Sequence, residues 1–121
     1  MDEEQAAMGN PVVHFEIIGE NLKVLEAFYT GVFDWQINPV MEEYSMVNTG
    51  SGIAGGIGGM GEGQRHVTFY VEVDDVNIAL ALIESKGGQK VFGPHPVPTG
   101  AIIAGFTDPE GHLVGLVQQP K

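Results

Sequence analysis

Two short runs of this sequence carry side chains that can do chemistry together. In Val12-Val13-His14-Phe15-Glu16-Ile17-Ile18 an imidazole and a carboxylate stand at alternate positions. In His66-Val67-Thr68-Phe69-Tyr70-Val71-Glu72-Val73 an imidazole, a hydroxyl and a phenol alternate in the same way. Both runs are β-branched and aromatic, the composition of strands. Alternate side chains on a strand share a face. With Phe15 and Ile17 turned to a covering helix, His14 and Glu16 face away from it. With Phe69 and Val71 toward a helix, His66, Thr68 and Tyr70 face away. Such a face offers two imidazoles for a ligand or a metal, Glu16 as candidate general base, and Thr68 and Tyr70 as hydrogen-bond donors. The competing reading is structural: two satisfied histidines and a salt-bridged carboxylate. His112, after a turn, and His95, in a Pro-rich loop, read as structural. Tyr44 offers a stacking surface for a ligand, and Trp35 closes the core behind the first helix.

Other chemistries are excluded or disfavoured. There are no cysteines, hence no disulfide framework, no thiolate nucleophile and no Cys-ligated zinc. Glycines cluster between Gly50 and Gly63 without the Lys and Ser/Thr of a phosphate loop. The cluster suits a Gly-rich strand and a connecting loop, and the glycines from Gly55 to Gly59 suit close strand approach or a mobile lid. Sixteen acidic against five basic residues give a net charge of −11. That charge repels phosphate backbones, so nucleic acid is not an expected partner, while a cationic small molecule would be attracted. No apolar run approaches the roughly 20 residues of a membrane span. The opening MDEEQAAMGN is acidic where a secretory leader is basic. A cytoplasmic protein with no membrane partner is the expectation.

The elements that hold these residues repeat. After the first strand comes Asn21 as a helix cap, then Leu22, Leu25, Phe28, Tyr29 and Val32 at helical spacing. After the second comes Asp74 or Asp75 as cap, then Val76, Ala79, Leu80 and Ile83, with Gly87-Gly88 as the stop. Three short strands follow each helix: Trp35 to Asn38, Tyr44 to Asn48 and Ile53 to Ile57, then Lys90 to Phe92, Ala101 to Phe106 and Leu113 to Gln118. Turn signals separate them at Asn38-Pro39, Gly50-Ser51-Gly52, Gly93-Pro94 with Pro96 and Pro98, and Asp108-Pro109-Glu110-Gly111. The 121 residues thus read as one α+β domain over 11–120, with modules 11–60 and 65–119 and a disordered acidic stretch over 1–10. Two tandem β-α-β-β-β modules, each with one sheet face covered by its helix, predict a curved mixed sheet with a hollow at the seam.

The phrases VVHFEI, LEAFYTGVFDW, RHVTFYVEVDDV and FTDPEGHLVGLVQ together resemble the vicinal oxygen chelate superfamily, which contains glyoxalases, bleomycin-resistance proteins and extradiol dioxygenases. The resemblance covers Val12 to Gln118. It implies a divalent metal as candidate cofactor, with His14 and His66 as two of its ligands. The other two ligand positions fall near Gly55 or Gly56 and on Gly115, where no side chain exists. HLVGLVQ carries Gly115 where a glyoxalase-like sequence carries Glu. In that mechanism the metal polarises enediolate oxygens and the ligating Glu moves the proton, so the departure removes both base and ligands. The resemblance therefore implies a glyoxalase-like small-molecule-binding protein, a lyase or isomerase acting on a small carbonyl compound. Its alternative is a metal-free, bleomycin-resistance-like protein that sequesters a small cationic ligand. It also implies a homodimer.

Overall fold

A computed structural model describes residues 9–120 of the chain. The stretch expected to be disordered lies, over residues 1–8, outside the described residues. The elements run β1 (Val12–Gly19), α1 (Leu22–Phe33), β2 (Gln36–Met41), β3 (Tyr44–Asn48), β4 (Ala54–Gly59), β5 (His66–Glu72), α2 (Val76–Ser85), β6 (Gln89–Pro96), β7 (Ile102–Thr107) and β8 (Leu113–Gln118). The β-α-β-β-β order occurs twice, as the repeat requires. The eight strands make one mixed sheet, ordered β2-β3-β4-β1-β5-β8-β7-β6. β1 and β4 run parallel, while β2/β3, β3/β4, β6/β7 and β7/β8 run antiparallel. The chain divides into two compact units, one spanning Val13–Tyr70 and the other taking the rest.

In the Val13–Tyr70 unit, Asn21 caps α1 by accepting the Val24 N–H at 3.1 Å. The helix ends where Asp34 turns left-handed, at φ 60°. Leu22 of α1 is buried with Ile17, Val47 and Ile57, and Phe15, Leu25, Tyr29, Trp35 and Ile37 pack around them. Trp35 stacks on Tyr29 at 5.3 Å with the rings nearly parallel, 7° apart, and it lies 5.4 Å from Phe15. This core fixes the parity of every strand in the unit. Phe15 and Ile17 of β1, Val47 of β3 and Ile57 of β4 point toward α1, so their sequence neighbours point away from it.

In the other unit, Asp75 caps α2 by accepting the N–H groups of Asn77 and Ile78. Gly87, at φ 101°, supplies the left-handed stop after Lys86. Val73, Val76, Leu80, Ala104 and Leu116 form the buried cluster.

Three expectations need correction. β6 runs through Gly93-Pro94 to Pro96 instead of turning there, so His95 lies on a strand, stacked 6.1 Å from Phe92. Pro39 likewise lies within β2. Both strands stand at the ends of the sheet order, where a residue without an N–H costs no ladder bond on the open side. Finally, Phe69 of β5 is not covered by a helix. It is 43% exposed and Val67 is 72% exposed, because α1 lies over β4 and β2 and α2 over β6, β7 and β8.

A Cβ added at Gly55 would enter the Phe15 ring. That ring is held by Trp35, so the overlap cannot be relieved cheaply. Gly55→Ala should lower stability by about 1–3 kcal/mol, read as a shifted urea midpoint with an unchanged slope. An unmoved midpoint would show that Phe15 yields freely.

Candidate functional site

The face of the Val13–Tyr70 unit turned away from α1 gathers the chemically able side chains. On β1 it carries His14 and Glu16, and on β5 His66, Thr68 and Tyr70, by the alternation described above. On β4, Gly56 and Gly58 flank core-facing Ile57. On β3, Tyr44 and Met46 flank Ser45 and Val47, which are 1% exposed on the helix side. The parallel register sets Glu16 opposite Gly56, and the antiparallel register sets Tyr44 opposite Gly58.

The ring of Tyr44 lies along these two glycines. A Cβ at Gly56 would collide with the Tyr44 hydroxyl, and one at Gly58 would come within 2.7 Å of its ring. The phenol crosses β4 only because both positions lack side chains. Its hydroxyl then reaches β1, donating to Glu16 Oε1 at 3.1 Å and standing 2.9 Å from His14 Nε2. From β5, the Tyr70 hydroxyl donates to Glu16 Oε2 at 3.4 Å, and its ring meets His14 edge-on at 5.7 Å. His66 Nε2 lies 3.7 Å from the same Oε2. The Glu16 side chain is 14% exposed and that of His66 30%.

Counting protons assigns the imidazoles. A phenol has one hydrogen, and Tyr44 donates it to a carboxylate that can only accept. The contact with His14 must therefore run the other way, with His14 Nε2–H donating to the Tyr44 oxygen. His66 Nδ1 lies 3.0 Å from the Gln64 carbonyl, which can only accept, so Nδ1 carries hydrogen and Nε2 faces Glu16. Burial lowers the pKa of His14 and outweighs the opposing pull of Glu16. Burial, reinforced by the Glu16 charge, raises the pKa of both Tyr44 and Tyr70, which keeps them neutral phenols.

Glu16, His14, His66 and Tyr70 are thus brought together. Thr68 is buried on the same face at 8% exposure. His95, in the other unit, belongs with Phe92. His112 is solvent-facing and held by Asp108, whose carboxylate accepts its backbone N–H at 3.0 Å within the Asp108–Gly111 turn. The sequence reading treats Tyr44 as a stacking surface and misses its hydroxyl as the hub. The available signal was the pair of same-face glycines on β4 beside an aromatic on β3. A second inward carboxylate, Glu26 of α1, accepts from Ser45 at 2.5 Å on the helix side and takes no part.

These residues do not match a four-ligand metal set. Of Gly55 and Gly56, the latter faces away from α1, and it bears no donor. Gly115 pairs with Gly105 across β7/β8 and bears none either. His14 Nε2 holds a proton. Among the described residues no three His, Cys, Asp or Glu side chains are grouped to hold an ion.

A family model for the Glyoxalase/Bleomycin resistance protein/Dioxygenase superfamily matches residues 12–116. Similar solved structures include a Streptomyces coelicolor methylmalonyl-CoA epimerase in complex with 2-nitronate-propionyl-CoA, at 19% identity and TM-score 0.65, covering 93% of this chain and 99% of that one. A methylmalonyl-CoA epimerase from Mycobacterium tuberculosis is 14% identical with TM-score 0.67, covering 91% and 88%. A hypothetical protein from Bacillus halodurans C-125 is 14% identical with TM-score 0.70, covering 93% and 96%. At these identities the likeness is one of fold. No curated protein matches the chain.

The shifted groups give pH-dependent stability a direction. The unfolded chain releases tyrosine protons near pH 10.0, whereas folded Tyr44 and Tyr70 keep theirs, so stability present below that pH is lost as pH rises. The unfolded chain takes up a histidine proton near pH 6.5 that folded His14 resists, so stability present above that pH is lost as pH falls. Urea midpoints across pH should fall on both limbs. Tyr44→Phe should flatten the alkaline limb and His14→Gln the acid limb. Limbs unchanged in both variants would refute the assignment.

Proposed function

Starting from the fact that this chain belongs to the Glyoxalase/Bleomycin resistance protein/Dioxygenase superfamily, we propose that it binds a small carbonyl compound and moves a proton at the carbon beside the carbonyl, with Glu16 as base. This is an isomerase- or lyase-like activity. One observation carries it: a single, largely buried carboxylate stands between two phenol donors, with an imidazole at 3.7 Å.

The arrangement suits proton abstraction for a stated reason. Removing a proton beside a carbonyl moves negative charge from the base to the substrate oxygen. While Glu16 is ionised, Tyr44 and Tyr70 point their hydrogens at it. Once Glu16 takes the proton its pull on them falls, and the same hydroxyls can turn to the new oxyanion. Charge moves over a short distance between groups already served by fixed donors. His66 Nε2, beside Glu16 Oε2, can accept the proton from Glu16 and return it. His14 and Thr68 complete the ligand contacts, and in this reading both histidines act through hydrogen bonds. Methylmalonyl-CoA, bound by one of the epimerases of this fold, is the first probe to try. Among the described residues no helix is long and apolar enough to cross a membrane, and the reading takes the protein as a cytoplasmic homodimer.

A second reading has its own support. The net charge of −11 and an anionic Glu16 flanked by the rings of Tyr44 and Tyr70 suit a cation, which would be held by charge and by cation–π contact. The protein would then sequester a cationic ligand without turning it over.

Proton NMR in deuterated water separates the two. Methylmalonyl-CoA and a panel of small ketones and hydroxyaldehydes are incubated with the protein. Deuterium should enter the carbon beside the carbonyl in at least one of them, and Glu16→Gln should slow this by about 10²–10⁴-fold. Exchange that survives Glu16→Gln would remove Glu16 as base. No exchange in any compound, with saturable binding of a quaternary ammonium ligand, would favour sequestration.

A further inference from the structure

We infer that Tyr44 closes this site to divalent metal ions, standing in place of the ligand that β4 lacks. The inference concerns occupancy of the site and holds whether or not Glu16 proves to be a base.

Three features carry it. First is volume. Any side chain at Gly56 would collide with the Tyr44 hydroxyl, so the phenol fills the space a ligand from that position would need. Second is direction. His14 Nε2, the nitrogen that points into the site, donates its proton to Tyr44 and presents no lone pair to a cation. Third is competition. The two oxygens of Glu16 already accept from Tyr44 and Tyr70. A metal would have to displace the phenol, shift the His14 tautomer and strip a donor from Glu16 at once.

The same geometry states what removing the phenol would release. The Tyr44 oxygen stands 2.9 Å from His14 Nε2 and 3.1 Å from Glu16 Oε1. Metal–nitrogen and metal–oxygen bonds of roughly 2.0–2.2 Å need each donor to move in by about 1 Å. His66 Nε2 already lies against the second oxygen of Glu16, 3.7 Å away. Without Tyr44, His14 Nε2 and Glu16 Oε1 would face the space it leaves, a nitrogen and an oxygen donor that water could supplement around a transition metal.

Cobalt(II) tests this, because its visible spectrum reports nitrogen and oxygen ligation directly. Protein freed of metal with chelator is titrated with cobalt and followed by absorbance and calorimetry. The wild type should show no saturable binding that depends on His14. Tyr44→Ala should bind one cobalt saturably, on the order of 10–100-fold more tightly than any residual, His14-independent binding by the wild type, and His14→Ala added to it should abolish the gain. Tyr44→Phe keeps the ring over the glycines but frees His14 and Glu16, and should gain part of that affinity. It serves if the alanine variant fails to fold. Nitrogen-15 shifts of the wild-type His14 ring, measured at neutral pH, should show a protonated Nε2 and an unprotonated Nδ1. His14-dependent cobalt binding by the wild type would overturn the inference. So would an unprotonated Nε2, or folded Tyr44 variants with no gain.

Discussion

An ionised carboxylate on a mostly buried sheet face must find donors, and everything on this face follows from how Glu16 finds them. Its side chain is 14% exposed, too little for water to solvate it fully. A buried charge without partners costs several kcal/mol. The nearest donors are phenols, from β3 on one side and β5 on the other. Once Tyr44 gives its hydrogen to Glu16, its oxygen can only accept. That points the Nε2 hydrogen of His14 at the Tyr44 oxygen, so the arrangement of His14 follows from the carboxylate through the phenol.

The phenol of β3 reaches β1 only by crossing β4, and β4 permits this by giving up its side chains. Gly56 and Gly58 lie under the ring, while Gly55, on the other face, makes room for Phe15. A strand of Ala54-Gly55-Gly56-Ile57-Gly58-Gly59 loses conformational entropy on folding at roughly 0.5–1 kcal/mol for each glycine relative to alanine. Packing on both faces offsets this. Ile57, fully buried, anchors the strand on the helix side, and the rings of Phe15 and Tyr44 fill the faces left vacant. The glycine-rich stretch read from sequence as either close strand approach or a lid is therefore the former.

How much of this is legible in the sequence depends on whether a feature is local. Strand alternation places His14 with Glu16, and His66 with Thr68 and Tyr70, because parity needs only sequence neighbours and a core residue between them. Caps at Asn21 and Asp75 are equally local. The role of Tyr44 is not, since it depends on the β3/β4 register and on which face two glycines of another strand occupy. The exposure of Val67 and Phe69 depends on where α1 lands, which the helix's own sequence does not specify. Pro39 and Pro94 read as breaks because a proline in a central strand would be one. Their place at the ends of the sheet order reverses that inference.

The second unit repeats the device without the chemistry, which shows what the hydroxyl adds. There Phe92 of β6 stands opposite Gly105 of β7, and Gly105 opposite Gly115 of β8. Ala104 and Leu116 belong to the helix-side core, so both glycines turn away from α2. A Cβ at Gly105 would enter the Phe92 ring. An aromatic side chain laid over glycine is thus common to both units. Phenylalanine has no hydrogen to give, and His95 stacks on it instead of being oriented by it. In the first unit the aromatic is a tyrosine, and its oxygen turns a packing solution into a fixed arrangement of protons around one carboxylate. The packing needs only a ring over glycine, whereas the acid–base character needs the one oxygen atom that distinguishes Tyr44 from phenylalanine.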